Sequence, residues 1–518
     1  MLILKNVKNL IFLILLFLFS SFGSLLVYKT VEVFGPFFTA DSVAYVQAAE
    51  NFKNGHGVSI GDADGFKILT FFPPLYPVIL SFFLDNFKLL NSILAFITLF
   101  IFGYIIFDAT RSIITSILSV ILFSLSPIYL YIFSHILSET LSFPFVLLTL
   151  LLIRKYLDHP SFFLLILFSI FISISTLIRY ANLFFILFIV LIFLIYRIKI
   201  TQLILSVIIS SSGFYFWSFV AYFFPNTTGP PRGFILHLFT VRHLSALIET
   251  LYYYILPAKY VYYWHNIRIP LTIIIIVGIS LGTLLLILSR RKTKGIFSNW
   301  ERILISASIS YLLFLFISIS IADFFILTYN SIRHLSPFFI FILAFLFIFL
   351  YKVPKFKLGG LIIYFTMILA YLPYTKDFVK LSRKGPPQGS YHHYAFFSKC
   401  SNLQIMEEIR KLPQGAYIYS NAPDLIYLHT KRFTSIIPPR FYLEGNITLP
   451  NFQDRINEMA AKLKEKDGFL VLINPPCNWH EYLFHLPNEA ELNSLIDLVV
   501  YKRTQDGVIY KVRPISDF

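Results

Sequence analysis

Residues 36–77 read PFFTADSVAYVQAAENFKNGHGVSIGDADGFKILTFFPPLYP, a polar segment between two apolar regions. An uncharged apolar run, residues 10–27, precedes it, and apolar runs of membrane-spanning length follow it as far as Tyr374. Within the segment, Thr39-Ala-Asp41 is typical of a helix start. Lys53-Asn54-Gly55 is typical of a helix end, where glycine adopts a positive φ. We therefore predict a short loop helix with Asp41 in its first turn and Tyr45 one turn further along the same face.

The composition of the whole chain is that of a membrane protein. Its 518 residues are 57% hydrophobic and 14% charged, and the mean hydropathy is +0.73. Soluble folds do not contain this much apolar surface. We predict a polytopic α-helical membrane protein with about eleven transmembrane helices. The predicted spans are 10–28, 88–107, 112–133, 139–153, 161–178, 181–196, 202–223, 269–289, 303–321, 335–351 and 358–374.

Charged residues are distributed unequally between alternate loops. With the N-terminus inside, the internal loops hold fifteen basic residues less three acidic ones, which is +12 of the formal net charge of +16. This positive-inside asymmetry predicts a cytoplasmic N-terminus in a cell membrane, with the first long loop outside. It also accounts for the pI of 9.5 without nucleic-acid binding. The internal loops are too short for a nucleotide-binding domain, which argues against an ATP-driven pump and against a nucleotide-sugar donor.

The composition changes near residue 375. Predicted helices and strands then alternate, which is typical of a small α/β domain. Helices are predicted over 401–412, 454–466 and 489–497, with a further helix start at 421–424. Strands are predicted over 416–420, 433–437 and 469–473, and a hairpin joins 498–501 to 508–512. The predicted division is a transmembrane domain, 1–374, with the exterior loop 29–74, and an exterior C-terminal domain, 375–518.

The loop resembles the first exterior loop of the GT-C integral-membrane glycosyltransferases. That family includes the bacterial lipid A aminoarabinose transferases and the protein O-mannosyltransferases. The resemblance rests on Asp41 at a helix start, the Ala-rich helix that ends in Asn54-Gly55, and the Pro-Pro-Leu-Tyr-Pro exit at residues 73–77. It implies that Asp41 is the catalytic carboxylate, which deprotonates the acceptor. The alternative, from the residues alone, is a helix-capping Asp.

Other polar residues are predicted at the outer ends of the spans. Arg333-His334 precedes Ser-Pro and a late span, an arrangement similar to the phosphate-binding pattern of the family, and Arg can hold a phosphate through two bonds. Glu139 stands where relatives carry a second acidic residue, which would position the acceptor or Asp41. Each has a structural alternative: Arg333 would extend to lipid headgroups, and Glu139 would stabilise a helix N-terminus. Arg179 has the same two interpretations as Arg333, with the headgroup interpretation favoured.

One feature of the loop departs from the aminoarabinose transferases, and a second has two interpretations. Aminoarabinose transferases carry a Lys directly before the Pro-Pro pair, where this chain has Phe72, so Lys67 is the nearest substitute for binding the donor. Asp62-Ala-Asp64 has the spacing of a divalent-cation site. A Gly-Asp-x-Asp-Gly turn produces the same string for structural reasons.

The combined prediction is a GT-C-type glycosyltransferase. The resemblance implies a polyprenyl-phosphate-linked sugar as donor and a lipid, glycan or protein as acceptor, with inversion at the outer face of a lipid membrane. No cofactor is predicted, and a divalent cation held by Asp62 and Asp64 is the alternative. The alternative function is a translocating or scaffold protein of cell-envelope assembly. Cys400 and Cys477 are either a disulfide or two free thiols, and Glu50 of the loop helix has no predicted role.

Overall fold

The structure, a computed structural model, describes residues 2–33, 35–228, 298–321, 331–352, 357–383, 403–440, 451–475 and 486–512, and the single residues 243, 245, 247 and 250. The chain divides into two compact units. The membrane unit comprises Met1–Phe37 and Thr70–Arg383, and the loop–tail unit comprises Phe38–Leu69 and Lys384–Phe518. The predicted division grouped the whole first loop with the membrane helices, whereas residues 38–69 of that loop pack with the tail.

The described helices follow one another with short connections. In chain order they are α1 (Leu2–Thr30), α2 (Ala40–Lys53), α3 (Leu75–Ser81), α4 (Phe87–Thr110), α5 (Ile113–Leu125), α6 (Pro127–Ser134), α7 (Ser138–Asp158), α8 (Phe162–Ile178), α9 (Phe184–Tyr196), α10 (Ile200–Phe223), α11 (Asn299–Ile321), α12 (Ser331–His334), α13 (Ser336–Lys352), α14 (Lys357–Ser382), α15 (Gln404–Lys411), α16 (Pro423–Thr430), α17 (Phe452–Glu465) and α18 (Glu489–Leu495). A 3₁₀ turn, Tyr180–Leu183, leads into α9.

The polytopic helical class is confirmed. Ten of the predicted spans fall on helices, and the predicted span 269–289 lies outside the described residues. Within the described part of the chain, five helices are long and apolar enough to cross a membrane, and the bent pair α5–α6 makes a sixth span. Helices α8 and α13 are apolar but shorter, as is the Tyr180–Tyr196 segment. The predicted total of eleven therefore remains a prediction.

One predicted span is broken. The segment predicted as 112–133 bends by 60° between α5 and α6. Pro127 occupies the first turn of α6, where it has no N–H to donate, and the hydroxyl of Ser126 accepts a hydrogen bond from the backbone of Tyr129. By contrast, Pro144 lies inside the continuous helix α7. Of these two prolines, only Pro127 is directly preceded by a capping hydroxyl.

The loop–tail unit contains two sheets. Strands β1 (Ser59–Asp62) and β2 (Gly65–Ile68) form a hairpin. The second sheet has the order β4-β3-β5-β7-β6, built from β3 (Ile418–Ser420), β4 (Ser435–Ile436), β5 (Phe469–Ile473), β6 (Leu498–Arg503) and β7 (Gly507–Val512). Strand β5 is buried on both faces, as its unbroken apolar sequence predicts. A small C-terminal region with helices and a sheet is therefore present, with β6 and β7 paired as the predicted hairpin.

The Ser420-Asn421 turn between β3 and α16 is held by hydrogen bonds to the sheet and to the start of the helix. The side chain of Asn421 donates to the carbonyl of Ile473 at 3.0 Å and accepts from its N–H at 2.9 Å. The hydroxyl of Ser420 accepts from the N–H of Ala422 at 3.0 Å. These bonds satisfy backbone groups of the buried strand β5, so this turn stabilises the sheet and has no need of a catalytic role.

Candidate functional site

Helix α2, which carries Asp41, begins with a capping box. The hydroxyl of Thr39 accepts a hydrogen bond from the N–H of Ser42 at 3.3 Å, and the hydroxyl of Ser42 accepts from the N–H of Thr39 at 2.9 Å. This reciprocal arrangement satisfies two N–H groups at the helix start. The capping function assigned to Asp41 as its structural alternative is therefore performed by Thr39.

Asp41 lies in the first turn of α2 and is half-buried. The positive end of the helix dipole favours a carboxylate at this position. Tyr45, one turn later on the same face, is buried with 2% of its surface exposed. At the other end of the helix, Gly55 has a φ of +85°, as the predicted helix end requires.

The hairpin that follows α2 contains the other predicted loop residues. Asp62 accepts a hydrogen bond from the N–H of Asp64 at 2.9 Å, and Gly65 has a φ of +122°, so the DxD string forms a tight turn. Lys67 pairs with Asp62 at 2.5 Å, whereas Asp64 accepts from the hydroxyl of Tyr417 at 2.6 Å. The two carboxylates therefore engage different partners. Among the described residues, no group of three His, Cys, Asp or Glu side chains could hold a metal ion.

A second group of predicted residues meets inside the membrane unit. Glu139, in the first turn of α7, is 1% exposed, and its carboxylate forms ion pairs with Arg179 and with Arg333, the latter at 3.0 Å. Arg179 and Arg333 are 8% and 7% exposed. We refer to Glu139, Arg179 and Arg333 as the arginine cluster. The interpretation of Arg179 as a headgroup-directed side chain is wrong, because its guanidinium turns inward to a buried carboxylate.

Packing between helices holds the cluster in place. Asn182 donates to the hydroxyl of Ser142 on α7 at 2.9 Å and to the carbonyl of Ser175 on α8 at 2.8 Å, which ties the turn after Arg179 to the helix of Glu139. On the other side, the buried hydroxyl of Tyr311 on α11 donates to the carbonyl of His334 at 2.5 Å. His334 ends the short helix α12, immediately after Arg333. The cluster is thus supported by several helices.

Hydrogen bonds hold Phe37, at the start of the first loop, against residues 134–136 of the membrane unit. The N–H of Phe37 donates to the carbonyl of Ser134 at 2.8 Å, and its carbonyl accepts from the N–H of Ile136 at 3.1 Å. The buried side chain of Asn91 donates to the carbonyls of Phe133 and His135, at 3.0 and 2.9 Å. These bonds hold the segment that precedes α7 and Glu139.

Two guanidinium groups face one carboxylate in the arginine cluster. Both guanidinium groups are buried, and both pair with the carboxylate of Glu139. Guanidinium groups bind phosphate and carboxylate oxygens through paired N–H donors in a fixed geometry. The arrangement is therefore suited to an anion, and a phosphate group has the matching charge and shape.

Several residues that hold these sites in place were not predicted from the sequence. Asn182 is the only amide side chain in the apolar stretch 161–196, a position that could have been recognised as a buried polar contact. Asn91 and Tyr311 give no comparable signal. Glu50 was expected to have no role, yet it accepts from Tyr427 at 2.5 Å and pairs with Lys431 at 2.6 Å. Those partners lie too far along the chain for local patterns to reveal.

Comparison with solved structures identifies the fold. ArnT from Cupriavidus metallidurans bound to undecaprenyl phosphate has a TM-score of 0.55 and 11% identity, covering 95% of this chain and 97% of that chain. The apo state of ArnT from the same organism has a TM-score of 0.50 and 12% identity over the same shares. No protein-family model and no curated protein matches the sequence. The chain is thus a multi-pass integral membrane protein with the fold of ArnT.

Proposed function

We propose that the protein is a membrane glycosyltransferase that uses a polyprenyl-phosphate-linked sugar and transfers the sugar to a lipid, glycan or protein acceptor. The observation that carries this proposal is the arginine cluster, in which Arg179 and Arg333 both pair with the buried carboxylate of Glu139. One of the structural neighbours is bound to undecaprenyl phosphate, which supports a carrier of this chemical class.

The reaction is a single displacement. Asp41 accepts a proton from the acceptor hydroxyl or amine, and the acceptor atom forms a bond to the anomeric carbon as the bond from that carbon to the phosphate oxygen breaks. The phosphate leaves with the polyprenyl chain, and the configuration at the anomeric carbon inverts. Arg333 and Arg179 stabilise the negative charge that grows on the leaving phosphate. Tyr45 and His334 complete the proposed substrate-binding set, and Lys67 remains the substitute for the lysine of the aminoarabinose transferases.

The experiment measures transfer from a labelled polyprenyl-phosphate sugar by the purified protein in liposomes. Asp41→Asn should reduce the rate by about 10²–10⁴-fold, because the amide cannot accept the proton. Folding should be retained, since Thr39 and Ser42 cap the helix. The matched control is Asp454→Asn, an exposed aspartate in the first turn of α17, which should leave the rate unchanged. An Asp41→Asn variant that keeps more than about a tenth of the activity would remove Asp41 as the base. Transfer directly from a nucleotide-sugar would exclude the proposed donor.

We also propose that the loop–tail unit lies on the outer side of the cell membrane, because the internal loops carry the positive charge. In a variant without the two native cysteines, a membrane-impermeant thiol reagent should label Asn54→Cys and Glu407→Cys in intact cells. Both positions are exposed, whereas Ser59 in the same loop is buried. Arg111→Cys, also exposed but on the opposite side, should be protected. Labelling of Arg111→Cys alone would reverse the orientation.

A further inference from the structure

Helix α2 presents two opposite faces. Asp41 and Tyr45 lie on one face, and Glu50 lies nine residues after Asp41, half a turn away around the helix axis. The face of Glu50 also contains Val43 and Gln47. Val43 belongs to the hydrophobic core of the tail, which includes Ile405 and Leu425, and Gln47 donates to the carbonyl of Gly61 in the hairpin at 3.1 Å. One side of α2 is therefore fixed to the tail, and the other carries the proposed base.

Glu50 is held by two residues of the tail. The hydroxyl of Tyr427, on α16, donates to its carboxylate at 2.5 Å, and the ammonium group of Lys431 pairs with it at 2.6 Å. Tyr427 is 5% exposed. Burial, and then the bond to Glu50, raise the pKa of Tyr427, so its hydroxyl remains a hydrogen-bond donor at all working pH values. Charge-assisted hydrogen bonds of this kind are stronger and more directional than neutral ones.

The surroundings of Tyr427 fix it in turn. The ring of Phe433 stacks on the ring of Tyr427, with 5.5 Å between centroids, and lies against Gly61 of β1. The loop hairpin makes its own bonds to the tail, because Ala63 donates to the hydroxyl of Ser435 at 3.2 Å. The tail therefore contacts the loop along α2 and at the hairpin, with Glu50 as the charged contact on the catalytic helix.

We propose that the tail domain positions the catalytic helix, and that Glu50, Tyr427 and Lys431 are positioning residues that set the orientation of Asp41. The inference rests on the proposed function. A general base must meet its proton in a narrow range of geometry, and a displacement of about 1 Å can cost about 10²-fold in rate. A rotation of α2 around its tail-bound face would displace Asp41, which lies on the opposite face. The phosphate contacts belong to the membrane unit, so donor binding should not depend on this triad.

The tail offers a matched control for the triad. Tyr510 donates to Glu489, which also pairs with Arg503 at 2.8 Å. This second triad has the same chemistry and a buried tyrosine, but the hydrogen bonds and ion pair described for its three residues all stay within the tail. Tyr427→Phe and Tyr510→Phe therefore remove the same hydroxyl from the same kind of group. Only the first removes a contact with the catalytic helix.

The experiment measures kcat, KM for the polyprenyl-phosphate sugar, and thermal stability for both variants, at a temperature where each is folded. Tyr427→Phe should lower kcat by about tenfold or more and leave KM within about twofold, whereas Tyr510→Phe should leave both unchanged. If Tyr427→Phe does not fold, Lys431→Met, at an exposed side chain, gives the same test. The charge-exchanged pair Glu50→Lys with Lys431→Glu should recover much of the kcat that either single change removes.

A folded Tyr427→Phe with wild-type kcat would overturn the proposal, and so would an equal loss of kcat in Tyr510→Phe. Failure of the charge-exchanged pair to exceed both single variants would also overturn it. Asp41→Asn distinguishes these results from failure of the proposed function. If Asp41→Asn is inactive while Tyr427→Phe is fully active, the base stands and the positioning role falls. If Asp41→Asn is active, Asp41 is not the base, and the premise of the positioning role falls with it.

Discussion

The two ends of the membrane unit compensate buried charge in different ways. At one end of α7, Glu139 is 1% exposed and pairs with two arginines. At the other end, Asp158 accepts from Asn299 of α11 at 3.2 Å, and Glu301 of the same helix is also 1% exposed. Among the described residues, Glu301 pairs with one cation, Lys352, at 2.6 Å, and it accepts from the N–H and hydroxyl of Ser298. We refer to Glu301, Lys352 and Ser298 as the lysine cluster.

The difference separates a structural cluster from a candidate binding cluster. In the lysine cluster, charges balance one to one, the carboxylate caps a helix start, and Lys352 is 31% exposed and can contact water. In the arginine cluster, both guanidinium groups are buried and both pair with Glu139. Guanidinium groups held in a fixed geometry bind phosphate oxygens through paired N–H donors, so this cluster is the proposed phosphate site. The helices of the unit thus have one end built for packing and one end suited to an anion.

The largest effect is expected from removing each carboxylate in turn. Glu139→Gln removes the carboxylate that pairs with both buried guanidinium groups and should lower the free energy of unfolding by about 3–5 kcal/mol. Glu301→Gln should cost less, since Lys352 can reach water and the amide oxygen can still accept from Ser298. Thermal unfolding in detergent measures both. A loss for Glu301→Gln as large as that for Glu139→Gln would contradict the proposed difference between the ends.

A smaller effect on stability is expected from Asp64 in the loop–tail unit. This carboxylate is partly exposed, so it provides a comparison for the buried carboxylates Glu139 and Glu301 of the membrane unit. The hydroxyl of Tyr417, and then Lys462, hold the pKa of Asp64 below its ordinary value of 3.8. Because folding lowers this pKa, the pair stabilises the unit above about pH 3.8 and the stabilisation disappears as pH falls through the lowered value. The unfolding temperature should therefore drop more in the wild type than in Asp64→Asn between about pH 5 and pH 3. Equal drops in unfolding temperature for the two proteins would show that ionised Asp64 does not stabilise the unit.

Local rules predicted the loop helix and most of the tail. The bounds of α2, the positive φ of Gly55 and the buried strand β5 all follow from residues within a few positions of one another. Local rules were ambiguous where two residues could perform one task. Thr39 and Asp41 are both good capping residues, and the reciprocal bond that Ser42 offers to Thr39 decides between them.

The arginine cluster could not be predicted as a cluster. Its members lie on α7, before the 3₁₀ turn and on α12, and only the packing of those helices brings them together. The sequence predicted that Glu139 and Arg333 lie at the same side of the membrane, but gave no reason for an ion pair. Glu50 shows the same limit, because its partner Tyr427 lies 377 residues later in the chain. The pattern within one helix shows which residues share a face. Which residues that face contacts depends on the packing of the whole fold.

Ligand binding tests the difference between the two ends most directly. The measurement compares the affinities of undecaprenyl phosphate and undecaprenol for the purified protein, for Arg333→Ala, and for Lys352→Ala as the control in the lysine cluster. The wild type should bind the phosphate form about 10–100-fold more tightly, as charge-assisted hydrogen bonds of about 1.5–3 kcal/mol predict. Arg333→Ala should lose most of that preference, and Lys352→Ala should keep it. Equal affinities for the two ligands in the wild type, or equal losses in the two variants, would contradict the assignment of the arginine cluster as a phosphate site.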